Sequence, residues 1–390
     1  MDMTRFFCPG RVELAGNHTD MQRGRVMAAA MDMGISAEAE PNDDGVIRVF
    51  SVGFDPLEID LSRLWPDEKE RGTSAALVRG MAGELTEAGA RLRGFDAYIF
   101  SDLPAGKGLS SSSAFTVLTG FIMAYFAGME LPPEDLARTA QKVETRWYGK
   151  PCGLSDPLTC AMGGGVYMDV LENKIVPIVC DFDGLGLALC LTDTGGSASQ
   201  AAPAYAQITS DMAAVARFFG EPFLAKVRGP VFNEQWPQHQ DDPRWMRARH
   251  FFDETWRVAS MADALGLRDG GRYMELMNQS GRSSEMLLRN AWNETCGDGL
   301  IWGLETSGQL LDGKGAWRVH SGGFAGFVQA LMPEEHFETY RTAMDELFGP
   351  GACRRIHIVP QGVRLAQEDK QLFSRPEARG FPESAADLLG

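Results

Sequence analysis

Residues 103 to 114 read Leu-Pro-Ala-Gly-Lys-Gly-Leu-Ser-Ser-Ser-Ser-Ala, and few architectures accommodate such a run between its neighbours. Phe95 to Ser101 before it has the composition of a buried strand, and Ser110 to Phe126 after it that of a buried apolar helix. A strand thus enters a loop and a helix leaves it. Gly106 and Gly108 let backbone approach a ligand closely. Ser110, Ser111 and Ser112 stand at the helix start, where unpaired N–H groups and the helix dipole attract an anion, and Lys107 adds a cation. These features predict a cradle for a triphosphate. The spacing fits neither a Walker A loop nor a dinucleotide fingerprint. A turn that merely caps a helix is the plainer alternative.

The remaining pattern sets the fold class. Strands are expected at Gly34 to Ala39, Val46 to Phe50, Val166 to Val170, Leu187 to Thr192 and Arg355 to Val359, with a further glycine-rich segment and strand at Ser321 to Leu331. Helices are expected at Ala75 to Leu92, Pro133 to Tyr148, Ser199 to Phe218, Met246 to Leu265, Arg272 to Asn290, Leu300 to Leu311 and Glu334 to Leu347. The two are mixed without regular βαβ alternation, so the class is α+β. Gly229 to Arg244, rich in Pro, Gln and Asp, reads as an exposed loop or lid. A chain of 390 residues exceeds one ordinary domain, and a boundary near residue 185 divides it into 1–185 and 186–390.

A net charge of -16 argues against a nucleic-acid partner, since phosphate backbones need a basic surface. The seven cysteines are scattered and lack C-x-x-C spacing, which argues against disulfides and zinc. The start lacks the basic and apolar regions of a signal peptide, and no apolar run is long enough for a bilayer. The expectation is a cytoplasmic protein with no membrane partner.

Three segments, in order, resemble the motifs of the GHMP kinase superfamily, in its galactokinase-like form. Cys8-Pro-Gly-Arg-Val-Glu-Leu-Ala-Gly-Asn-His-Thr-Asp20 is similar to the signature P-G-R-V-N-L-I-G-E-H-T-D. The loop of residues 103–114 is similar to P-x-G-x-G-L-S-S-S-A, and Arg318-Val-His-Ser-Gly-Gly-Phe-Ala-Gly326 to R-M-T-G-G-G-F-G-G. Val143-Glu144, Cys152-Gly-Leu-Ser-Asp156 and Met274-Glu-Leu-Met-Asn-Gln-Ser280 resemble further family stretches, so the likeness covers about residues 5 to 331.

The resemblance implies a two-domain fold with the active site in the cleft between domains, and ATP-dependent phosphorylation of the anomeric hydroxyl of a monosaccharide. It implies ATP on Gly106, Lys107, Gly108, Leu109, Ser110, Ser111 and Ser112, and Mg²⁺ on Ser112 and Glu144. Asp156 becomes the acceptor of the sugar proton, with Arg11 as its partner; without the resemblance, Asp156 before Pro157 reads as a helix cap. Asn17, His18, Asp20, Gly153 and Tyr205 become the sugar-binding set.

The departures from the signature fall on the sugar side. Asn17 replaces Glu, Met21 stands where Tyr is common, and Gly281 replaces the His of a Ser-His pair. An amide donates as well as accepts, so a broader sugar profile is expected than for a Glu at position 17. Galactose is the first choice of substrate. A related sugar (an N-acetylhexosamine, a uronic acid or arabinose) is the second, and a non-catalytic sugar sensor the third.

Overall fold

The computed structural model describes residues 3–367 apart from 105, 106, 151, 197 and 325. The chain opens with two long paired strands, β1 (Thr4–Ala15) and β2 (Arg25–Pro41), followed by β3 (Val46–Ser51), β4 (Leu57–Asp60), α1 (Ser74–Glu87) and β5 (Phe95–Ser101). Three helices come next, α2 (Ser111–Phe126), α3 (Pro133–Val143) and α4 (Ser155–Met162), and then the hairpin β6 (Gly165–Asp169) and β7 (Lys174–Ile178). The second half runs β8 (Leu187–Asp193), α5 (Ala198–Phe218), α6 (Gly229–Gln235), α7 (Pro243–Gly266), α8 (Gly270–Ser283) and α9 (Gly299–Leu311). It ends with β9 (Ala316–Val319), β10 (Phe327–Pro333), α10 (Glu334–Phe348), β11 (Cys353–Arg355) and β12 (Arg364–Leu365).

Among the described residues the strands form two sheets. The first has the order β12-β1-β2-β5-β3-β4, with β6 and β7 continuing from the first part of β2. Only β3 and β5 pair in parallel within it. The second is antiparallel, in the order β11-β8-β10-β9. The largest core packs α1 to α4 against the first sheet and reaches Leu189, Leu191 and Leu331 of the second. A separate aromatic cluster around Phe232 and Trp245 joins α5, α6 and α7.

Strand β1 carries the first motif despite Pro9 and Gly10, which interrupt its sequence pattern. It pairs with β2 across a register shift between Pro9 and Arg11, and β12 covers only Phe6 and Phe7 on its other side. Proline is tolerated at such an edge and bulge because no ladder hydrogen bond needs its missing N–H. Beyond the bulge, Val12 and Leu14 enter the core, and alternation puts Arg11 and Glu13 on the opposite face.

Two helices expected to be continuous end in wide turns. The helix expected through Tyr148 stops at Val143 and becomes a π turn at Glu144–Tyr148. The one expected through Asn290 stops at Ser283 and becomes a π turn at Ser284–Leu288. Such turns insert a residue that the helical period does not reveal. Residues 229–244, expected as a loop, instead form α6 and a short turn at Trp236–Gln238. Gly229-Pro230 starts the helix, and Phe232 is buried against Trp236 and Trp245.

Candidate active site

The serine run opens α2 with an unusual cap. Ser110 adopts a left-handed conformation (φ 58°), and its hydroxyl points away from its own helix, donating to Asp156 Oδ2 at 2.6 Å. The first-turn N–H groups of α2 thus lie next to the Asp156 carboxylate. Leu109 is buried in the core and Ser111 is half-buried. Gly106 lies outside the described residues. Lys107 donates to Asp193 Oδ2 at 2.6 Å, which ties the phosphate loop to the end of β8.

Arg11 Nε donates to Asp156 Oδ1 at 2.6 Å. Arg11 is otherwise held by the Gly108 carbonyl at 3.4 Å and by Ser321 Oγ at 3.1 Å. Four segments distant in sequence therefore meet at one guanidinium. Burial pushes the Asp156 carboxyl up, but the Arg11 charge and hydrogen bond, with Ser110, hold it below the usual carboxylate range. Burial pulls Arg11 down, and the Asp156 carboxylate outweighs it, so Arg11 stays a cation.

Glu144, at the start of its π turn, is fully buried. Ser112 donates to its Oε2 at 3.1 Å and Ser113 to its Oε1 at 2.5 Å, with Lys150 Nζ 4.0 Å away. Both serines thus meet the carboxylate. Burial raises the Glu144 carboxyl, with Lys150 and the two serines opposing. Among the described residues no three His, Cys, Asp or Glu side chains cluster as a metal-only site.

The sugar-side residues gather around the third motif. His18, itself left-handed (φ 57°), donates from Nε2 to the Gly322 carbonyl at 2.9 Å. Its ring lies 5.6 Å from that of Tyr205, whose hydroxyl donates to the Gly323 carbonyl at 2.9 Å. Gly153 faces Asp20 so closely that a Cβ there would come within 2.1 Å of Oδ2. Burial, and secondarily Asp156, raises the Asp20 carboxyl to about 6. Gly326 (φ +97°) passes the Lys107 carbonyl, where a Cβ would lie 2.8 Å away, so the third motif abuts the phosphate loop.

Asn17 departs from its expected placement at the edge of the sugar. Its side chain is 0% exposed. The amide donates to Ser284 Oγ at 3.2 Å and accepts from the Arg318 guanidinium. The reason is a buried polar network behind the loop of residues 16–20. Arg318, fully buried, also bonds Glu13 Oε1 at 2.9 Å and Ser280 Oγ at 3.1 Å. Glu254 accepts from the Gly16 N–H, Ser280 and Arg257. His250 donates from Nε2 to the Asn17 carbonyl at 3.1 Å and accepts from Ser283 through Nδ1.

Sequence reasoning assigns no role to Glu13, Lys150, Asp193, Ser321, Arg318, His250 and Glu254, and leaves open which serine, with Ser113 in place of the usual Ala, meets the metal. For Glu13 the signal is its place in the first motif, two residues after Arg11. The others carry no local signal, because their partners lie far away in the chain.

Comparison with known proteins bears on the family and the fold. A family model described as GHMP kinases N terminal domain matches residues 76–164, and one described as Galactokinase galactose-binding signature matches residues 3–41. A galactokinase of Roseiflexus sp. (strain RS-1) is 31% identical over 90% of this chain and 88% of its own. One from Actinobacillus pleuropneumoniae is 29% identical over 90% and 94%. The fold matches that of Lactococcus lactis galactokinase complexed with galactose, with a TM-score of 0.80 at 22% identity over 93% of this chain and 95% of that one. It also matches Methanococcus jannaschii mevalonate kinase, with a TM-score of 0.65 at 15% identity over 92% and 98%. With full-length relatives at this identity and with its motifs assembled at one guanidinium, the chain belongs to the galactokinase family of the GHMP kinases.

Proposed function

We propose that this protein is a galactokinase, which moves the γ-phosphoryl group of ATP to the anomeric hydroxyl of galactose. The observation that carries the reading is the Arg11–Asp156–Ser110 cluster at the first turn of α2. It places an ionised carboxylate beside a helix start suited to phosphates. Phosphoryl transfer asks mainly for position and charge neutralisation, and this arrangement supplies both.

In this reading the backbone and hydroxyls of residues 106–112 hold the triphosphate, and Lys107 exchanges Asp193 for a phosphate oxygen. Asp156 accepts the proton of the attacking hydroxyl. Arg11 keeps Asp156 ionised, which also makes it a weak base, so the proton moves late, as the new O–P bond forms. Arg11 then faces the charge that develops on the transferred group. His18, Asp20, Gly153 and Tyr205 surround the sugar, and Asn17 supports them from behind.

The Ser112 hydroxyl and the Glu144 carboxylate are hard oxygen donors of the kind Mg²⁺ prefers, and these two residues would hold it. Mg²⁺, when bound, neutralises phosphate charge. Ser113 occupies the other Glu144 oxygen and orients the carboxylate. The reading also assigns residues 1–185 and 186–390 to two domains flanking the site, and places the enzyme in the cytoplasm. No described helix is long and apolar enough to cross a membrane.

The test is ADP release with Mg-ATP across a sugar panel, with the phosphorylated position read by NMR. Galactose 1-phosphate is the expected product. A pure, folded protein that turns over no sugar would sink the reading.

A further inference from the structure

The carboxylate that the family signature carries at the position of Asn17 has not vanished from this chain. The signature has Asn four residues earlier, where this sequence has Glu13. Carboxylate and amide have exchanged places, and both touch the Arg318 guanidinium. The exchange satisfies Arg318 but changes what faces the site. The Asn17 side chain is wholly enclosed, whereas that of Glu13 keeps 13% of its surface open. Glu13 Oε1 is taken by Arg318, and among the described residues no donor is bonded to Oε2. The backbone N–H of Glu13 donates to His320 Nε2 at 3.0 Å, which fixes this stretch of β1 against the third motif.

Position along the strand says what Glu13 can reach. It lies on the same face as Arg11, two residues or about 7 Å further on. Burial raises the Glu13 carboxyl, and the Arg318 and Arg11 guanidiniums oppose it by favouring the carboxylate. Arg11 marks the reacting end of the sugar, so Glu13 stands about a pyranose width from it.

Resting on the galactokinase reading above, we propose that Glu13 is a specificity-determining residue. Its carboxylate accepts a hydrogen bond from a sugar hydroxyl on the edge away from the anomeric centre, and repels sugars that carry a carboxylate there. Arg318 fixes the orientation of Glu13 from behind. The substrate class is therefore a neutral hexose with a donor at that edge, not a uronic acid.

The experiment compares galactose with galacturonate as substrates for the wild type, for Glu13→Gln and for the exchange variant Glu13→Asn/Asn17→Glu. Glu13→Gln keeps an acceptor for Arg318 while removing the charge. The ratio of kcat/KM for galactose over galacturonate should fall about tenfold or more, chiefly through KM. If Glu13→Gln does not fold, the exchange variant keeps one carboxylate on Arg318 and carries the same test. A ratio unchanged in the folded variant, with both sugars affected equally, would reduce Glu13 to a counter-ion for Arg318 and overturn the inference. A wild type inactive on both sugars would instead strike the underlying function.

Discussion

Replacing Asp156 by Asn separates its chemical role from its structural one. The amide keeps the shape and one acceptor, so it can still take a hydrogen bond from Arg11 or from Ser110. It loses the charge that balances a guanidinium bonded at 2.6 Å. Breaking a fully buried ion pair costs about 3–5 kcal/mol. The Asp156 side chain is 27% exposed, and Arg11 retains Gly108 and Ser321 as partners, so the structural cost should be smaller, roughly 1–2 kcal/mol. That lowers the melting temperature by only a few degrees. The chemical cost is separate: loss of a positioned base is worth about 10²–10⁴-fold in rate. Coupled ADP release should therefore show kcat and kcat/KM falling together, while galactose binding by calorimetry persists. A folded Asp156→Asn enzyme with more than about a tenth of wild-type kcat would refute the argument, leaving Asp156, which does not cap α4, as an anchor for Arg11 and Ser110.

Further outcomes follow from the same geometry. Glu144→Ala, by removing the carboxylate held by Ser112 and Ser113, should raise the Mg²⁺ concentration needed for half-maximal rate by about tenfold or more, while far-UV circular dichroism stays native; an unchanged Mg²⁺ titration would exclude Glu144 as a ligand. Asp20, raised to about 6, should give kcat/KM for galactose an acid limb that falls about tenfold per pH unit below that value, and Asp20→Asn should lack the limb. Because its folded pKa lies above its unfolded one, Asp20 loses stability as pH rises between about 4 and 6, so Asp20→Asn should melt higher than the wild type at pH 8. His250 runs the other way: burial lowers it to about 4, so the unfolded chain takes up its proton first and stability falls as pH drops from about 6.5 to 4. Glu254, held near 2 despite burial by Arg257, His250 and Arg318, adds to the loss below about 4.5. Because Asp20 opposes His250 in this window, urea titrations at pH 7 and pH 5 in the Asp20→Asn background should differ in midpoint, and adding His250→Asn should narrow that difference.

Local pattern was enough for those parts of the protein whose physics is local. The apolar helix α2, strand β5 and the starts of α3 and α10 are all legible, because capping residues and periodicity act within a few residues. The mixed α+β class follows from strands and helices without regular βαβ alternation, and the family from motifs that each occupy 13 residues or fewer. Strand β1 was not legible as a strand, since Pro9 and Gly10 break the pattern and only the edge position and bulge reconcile them with a sheet. The π turns that place Glu144 and Ser284 add one residue to a helical repeat, which no periodicity shows.

The tertiary structure alone decided which polar residues face the site and which lie behind it. Asn17 and Glu13 are four residues apart in one motif, and the sequence ranks the first as the sugar contact. Arg318, some 300 residues later, draws the Asn17 amide into a closed network with Ser284, and holds one Glu13 oxygen while the rest of that side chain stays partly open. A buried guanidinium must be neutralised and hydrogen-bonded by whatever the fold brings to it, and that demand arises only when distant strands and helices meet. Lys107 with Asp193, and Arg11 with Ser321, follow the same rule.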